Sequence, residues 1–209
     1  MTMTHTPWSE LYFEPLRLED QVPDMSLTIY DPIQDEIVEK TLQDYQGKWL
    51  VLFFYPADFT FVCPTELKDL WQVKDALHAS NAELLVVSVD TAFSHKRWVE
   101  TEQLLAEFTI PMVSDRTGEL SMMFDILNTE TGNSERGTFI ISPEGVLKSI
   151  EVVTEPIGRS SHELVRKVQA LHHVATNPGQ ACPASWNMWD KVLTPWINIA
   201  GNVGQSLEK

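Results

Sequence analysis

The stretch PADFTFVCPTEL at 56–67 surrounds Cys63, one of only two cysteines in 209 residues, with side chains a sulfur nucleophile can use. Pro64 suits the first turn of a helix, where a missing N–H costs nothing. A helix beginning there offers free N–H groups and a partial positive charge, and both favour a thiolate. Thr60 supplies a hydroxyl for a ligand held beside the sulfur, or a helix N-cap, and the two roles are compatible. Pro56 restricts the loop and screens one side from water. Glu66, on the first turn, complements the helix dipole or orients a cation. A cysteine by itself, however, is equally well explained as an inert core thiol.

The elements that must position this stretch are legible. Trp49–Tyr55 is apolar at every position, as a strand covered on both faces requires, and LLVVSV at 84–89 reads the same way. Between them Leu67, Leu70, Trp71, Lys74 and Leu77 fall at helical spacing. Strand, helix, strand implies a right-handed parallel crossover. A second helix is predicted to carry Trp98, Leu105 and Phe108 on one stripe and to end at Pro111. GTFIIS (137–142) and VLKSIEVV (146–153) flank the turn signature PEG and predict a hairpin. A last helix starts at Ser160, where Glu163 completes a capping box, and buries Leu164, Val168, Leu171 and Ala175. The fold class is α/β, a thioredoxin-like fold with a mixed central sheet flanked by helices. We expect an N-terminal extension (1–21), one domain (22–175) and a C-terminal arm (176–209). The arm carries Cys182 and three tryptophans, Trp186, Trp189 and Trp196. Having no helical stripe, these should pack on the body or on another subunit.

Bulk properties narrow the functional classes. The net charge of -15, scattered along the chain, repels phosphate backbones and anionic lipid, which argues against nucleic-acid or membrane partners. No apolar run approaches the roughly 18 residues of a membrane span. MTMTHTPWSE lacks the basic and apolar regions of a secretory signal. Two cysteines are too few for a disulfide scaffold, so a cytoplasmic protein is expected. Among the six histidines only His172 and His173 adjoin, and neighbouring helical positions point about 100° apart, so no metal pair is expected.

PADFTFVCPTEL resembles the active-site stretch of the typical 2-Cys peroxiredoxins, especially their alkyl hydroperoxide reductase C-type branch. The motif of proline, three residues, threonine, two residues and cysteine is met by Pro56, Thr60 and Cys63. ERGTFIIS supplies the arginine that precedes a strand in that family, Arg136, and CPASW supplies its resolving cysteine, Cys182. The similarity runs from about Val22, with VPD resembling the opening strand, to Trp189. It implies a thiol-dependent peroxidase without metal or haem. Cys63 would be oxidised by a hydroperoxide to a sulfenic acid, and Cys182 of a partner subunit would close a disulfide with it. A thioredoxin-like or flavin-linked disulfide reductase would then reset both thiols. It further implies a homodimer, with the swapped arm's tryptophans packed on the partner subunit, assembled into a decamer. Neither the GGLG loop nor the YF helix of the oxidation-sensitive members occurs, which implies the robust type.

Acidity alone cannot make such a thiol fast. A thiol titrating near ~8.5 is about 3% ionised at neutral pH. Moving it to ~6 raises the thiolate roughly 30-fold, while a Brønsted slope of about 0.45 lowers its nucleophilicity roughly 10-fold. The larger effect must be a grip on the O–O bond by Arg136, Thr60 and local N–H groups. A holdase chaperone, also known within the family, has no need of Thr60, Arg136 and Cys63 together. A thioredoxin-type disulfide oxidoreductase would need a C-x-x-C, which is absent.

Overall fold

The computed structural model describes residues 14–208. Seven strands form one mixed sheet: β1 (Ser26–Asp31), β2 (Glu36–Thr41), β3 (Trp49–Phe54), β4 (Ala82–Ser88), β5 (Met112–Ser114), β6 (Arg136–Ile141) and β7 (Leu147–Val153). Five helices accompany them: α1 (Cys63–His78), α2 (Ala92–Thr101), α3 (Glu119–Met123), α4 (Ser161–Thr176) and α5 (Val203–Glu208). The sheet order is β2-β1-β5-β4-β3-β6-β7. β3 lies parallel to β4 and antiparallel to β6, so the crossover through α1 and the later hairpin meet on the central strand.

β3 explains why one unbroken apolar run is needed. Its side chains alternate between faces. Trp49, Val51 and Phe53 join Leu67 and Leu70 of α1, Trp98 of α2, and Leu164 and Val168 of α4 in one core. Leu50, Leu52 and Phe54 join Leu27, Ile29, Leu120 and Met123 in the other. Removing the Leu67 side chain, which is fully buried, should cost about 2–5 kcal/mol. Because α1 is anchored through this face, its first residue, Cys63, is held at the carboxyl end of β3.

Several local expectations need correction. The second helix stops at Thr101, because the Glu102 side chain accepts from the N–H of Leu104 and starts a separate 3-10 turn at Gln103–Leu105. Leu105 and Phe108 are buried, but not on α2. VPD is not a strand; the first strand begins at Ser26. Ser160 does cap α4 by accepting from the N–H of Glu163, but the Glu163 carboxylate pairs with Arg166 instead of returning to the cap. Ala175 is exposed. Trp186 is buried against this chain's own α4, its ring 5.0 Å from that of His173, whereas Trp189 and Trp196 are exposed. Most of the N-terminal extension, residues 1–13, lies outside the described residues. From Leu16 onward the chain bonds to the body, with Glu19 N–H donating to the Leu147 carbonyl at 2.9 Å.

Candidate active site

Helix α1 begins at Cys63 itself, with Pro64 in its first turn and Val62 as the cap residue. Thr60 is therefore not the N-cap. Its hydroxyl donates to the Ala57 carbonyl at 2.8 Å, which tightens the loop between β3 and α1. Cys63 is fully buried and Pro56 is also buried. Phe59, between them, adopts φ +56°, a left-handed conformation uncommon for a bulky residue and one that only a well-braced loop sustains.

Arg136, the first residue of β6, reaches the sulfur because β6 lies beside β3. Its Nη1 is 3.3 Å from Cys63 Sγ and 2.6 Å from Glu66 Oε2, and its Nε donates to the Glu155 carbonyl. Gly137 follows because a Cβ there would meet the Phe139 ring at 2.7 Å. Thus four of the expected residues, Cys63, Arg136, Glu66 and Pro56, are buried around one helix start, with half-buried Thr60 in the adjoining loop. Cys182 stands apart, half-buried, its Sγ 3.9 Å from the Ala170 carbonyl of α4. Both thiols are free.

Arg159 completes the cluster, and nothing in the motif announced it. Its backbone N–H and Nε both donate to Glu66 Oε1, at 2.7 and 3.0 Å. Nη1 donates to the Gly137 carbonyl at 2.7 Å and to Thr138 Oγ1 at 3.0 Å, and Nη2 to the Phe54 carbonyl at 2.8 Å. Its guanidinium carbon lies 3.4 Å above the Phe53 ring. Arginine next to the Ser160 cap opposes the helix dipole of α4, and that anomaly was the available signal.

The charges explain the arrangement. Two buried arginines share one carboxylate, which leaves a positive charge unmatched beside the sulfur; a thiolate matches it. Burial pulls the Arg136 pKa down, but the hydrogen bond and charge of Cys63, joined by Glu66, outweigh it and leave the pKa raised. Arg159, without sulfur contact, is lowered: burial prevails over Glu66, and Arg136 adds to the drop. Burial also raises the Cys182 thiol, against the weaker opposing charge of Arg166.

This fold and this sulfur–guanidinium–carboxylate site define a thiol-dependent peroxidase of the peroxiredoxin class. Residues 18–150 match the AhpC/TSA family, and the chain belongs to it. The alkyl hydroperoxide reductase C of Ferdinandcohnia aciditolerans is 43% identical over 168 residues, covering 80% of this chain and all of that protein. The crystal structure of Enterococcus faecalis AhpC superposes with a TM-score of 0.76 at 37% identity, covering 79% of this chain and 98% of that one. The reduced 2-Cys peroxiredoxin of Plasmodium vivax gives a TM-score of 0.85 at 29% identity, covering 93% of this chain and all of that one.

Proposed function

We propose that Cys63 thiolate attacks the terminal oxygen of hydrogen peroxide or an organic hydroperoxide. The O–O bond breaks, the leaving oxygen departs as water or alcohol after gaining a proton, and the sulfur becomes a sulfenic acid. The observation that carries this reading is the 3.3 Å contact of Arg136 Nη1 with Cys63 Sγ inside a buried charge cluster. A guanidinium there faces both the attacking sulfur and the charge that develops on the departing oxygen. Glu66 and Arg159 hold it in place, Thr60 meets the peroxide, and Pro56 screens the loop from water.

Cys182 of a partner subunit then attacks the sulfenic sulfur, releasing water and forming a disulfide. Since Cys63 is fully buried, the first turn of α1 must open before a second protein sulfur can reach it. Freeing Cys63 breaks the bonds from the N–H groups of Thr65 and Glu66 and from the Thr65 hydroxyl to the Val62 carbonyl, together with the Arg136 contact to the sulfur. A dithiol donor, thioredoxin-like or flavin-linked, supplies two electrons to restore both thiols. A dimer through β7 supports the inter-subunit pairing: it is an edge strand with Ile150 and Val152 exposed, and exposed apolar edges are normally covered. Family resemblance extends the dimer to a ring of ten. Among the described residues no helix is long and apolar enough to cross a membrane, and we infer a cytoplasmic location from the cysteine usage.

The test is non-reducing electrophoresis after one equivalent of hydrogen peroxide. Wild type should run as a covalent dimer, and Cys63→Ser and Cys182→Ser as monomers. A wild-type protein that consumes peroxide with a thiol donor yet never forms the dimer would overturn the role of Cys182. Undiminished turnover by Cys63→Ser would overturn the whole mechanism.

A further inference from the structure

The hydroxyl of Thr60 takes its direction from one atom, the Ala57 carbonyl oxygen, to which it donates at 2.8 Å. That oxygen belongs to the peptide plane joining Ala57 and Asp58, and the N–H of the same plane donates to Asp90 Oδ2 at 2.8 Å. Asp90 is in turn fixed to two strands. Ser88 Oγ, at the end of β4, donates to Oδ2 at 2.9 Å and accepts the Asp90 N–H at 3.2 Å, while Ser114 Oγ of β5 donates to the Asp90 carbonyl at 2.7 Å.

The other substituents of this peptide are braced as well. The Asp58 carboxyl accepts from the Tyr55 hydroxyl at 2.7 Å and meets His95 Nδ1 at 3.0 Å. His95 Nε2 faces the Val113 carbonyl at 3.2 Å, which can only accept, so that nitrogen carries a hydrogen. The Asp58 and His95 side chains have no solvent exposure.

We propose that Asp90 is a positioning residue for peroxide reduction, acting through the Ala57–Asp58 peptide plane on the Thr60 hydroxyl. This rests on the reading of Thr60 as the group that meets the peroxide. With its hydrogen committed to the Ala57 carbonyl, the Thr60 oxygen keeps only lone pairs to offer. It therefore accepts a hydrogen bond from the terminal O–H of the hydroperoxide and presents that oxygen to Cys63. Asp90 fixes the plane, and a carboxylate on the N–H end strengthens the carbonyl at the other end as an acceptor. Without it the plane can tilt, and the hydroxyl is free to rotate its hydrogen toward the peroxide.

The experiment is a double-mutant cycle on the full-length reduced protein, reading the second-order rate of Cys63 oxidation by hydrogen peroxide. Asp90→Ala should lower that rate about tenfold, the worth of one hydrogen bond. In a Thr60→Val background the same change should have no further effect. Alkylation of Cys63 by iodoacetamide, which needs the thiolate but not the Thr60 hydroxyl, should stay at the wild-type rate. Asp90→Asn retains an accepting oxygen and should recover most of the loss; Asp90→Leu, which keeps the bulk but not the acceptor for the Asp58 N–H, replaces the alanine variant in the cycle should that one fail to fold. An equal drop in both backgrounds, a parallel fall in alkylation, or no drop at all overturns the proposal. An undiminished rate for Thr60→Val by itself overturns the reading of Thr60 and this proposal with it.

Discussion

Arg159 gives two hydrogens, its backbone N–H and its Nε, to the same oxygen of Glu66, at 2.7 and 3.0 Å. The other Glu66 oxygen accepts from Arg136 Nη1 at 2.6 Å and from Arg159 Nη2 at 3.2 Å. Replacing Glu66 with alanine strands two guanidinium groups in the interior, which costs about 3–5 kcal/mol. Thermal unfolding of Glu66→Ala should fall on the order of 10 °C, with a loss of peroxidase rate even at temperatures where the variant is folded. Calorimetry beside a steady-state assay checks both.

Arg159 itself uses the planar fork. Lysine is a single charged point and cannot serve Glu66, Gly137, Thr138 and Phe54 together. We expect Arg159→Lys to retain the fold but to lose roughly tenfold or more in kcat/KM, in keeping with the effect of removing an outer-shell partner of a reactive group. A wild-type value would show that Arg136 keeps its aim without this support.

Arg136 should matter more for peroxide than for other electrophiles. Loss of a donor to a developing oxyanion typically costs about 10²–10³-fold. Arg136→Met should show a loss of that size in oxidation by hydrogen peroxide, and a smaller one in alkylation by iodoacetamide, where no O–O bond is polarised. Equal losses would assign Arg136 to the thiolate alone.

Resolution should depend on pH through Cys182. In the proposed cycle only its thiolate attacks, and burial holds this thiol above the ordinary cysteine range. Below that raised pKa the ionised fraction grows about tenfold per pH unit. Disulfide closure should therefore accelerate from pH 6 to pH 8 without a plateau. Arg166→Ala removes the charge that opposes the rise, so it should slow closure at a given pH. Stopped-flow separation of oxidation from closure measures both, and a closure rate flat across that range would contradict the assignment.

Sensitivity to excess peroxide offers a further check. Because the sequence has no GGLG and no YF pair in its C-terminal arm, brief millimolar hydrogen peroxide should leave little Cys63 sulfinic acid by mass spectrometry. Abundant sulfinic acid would remove this chain from the robust type.

How far the sequence reaches depends on whether a segment's environment is written in its own residues. β3, β4 and α1 were legible because burial on both sheet faces demands uninterrupted apolar runs and a helical stripe. The β1–β2 hairpin is not legible, since EIVEKT in β2 is half-exposed to exposed throughout and its polar residues hide the strand period. β5 has only three residues and borrows its pairing from β1 and β4. Within the site, Pro56, Thr60 and Cys63 share one short motif. Arg136 needed a second motif, and Arg159 lies 93 positions from the glutamate it grips, with only its awkward place before a helix cap to betray it. The tryptophans show the same limit: no local pattern separates Trp186, buried with its ring tilted against His173, from Trp189, which is exposed.

The distance along the chain between Glu66 and Arg159 also bears on when the protein becomes reactive during its own synthesis. A ribosome releases the cysteine motif nearly a hundred residues before the last arginine of the cluster, at about 5–20 residues per second. For those seconds the thiol lacks the β6 guanidinium and then its brace. β6 brings the Arg136 guanidinium to the sulfur, and the residue before the α4 cap brings its brace. The complete cluster therefore exists only in a chain that has been made past Arg159.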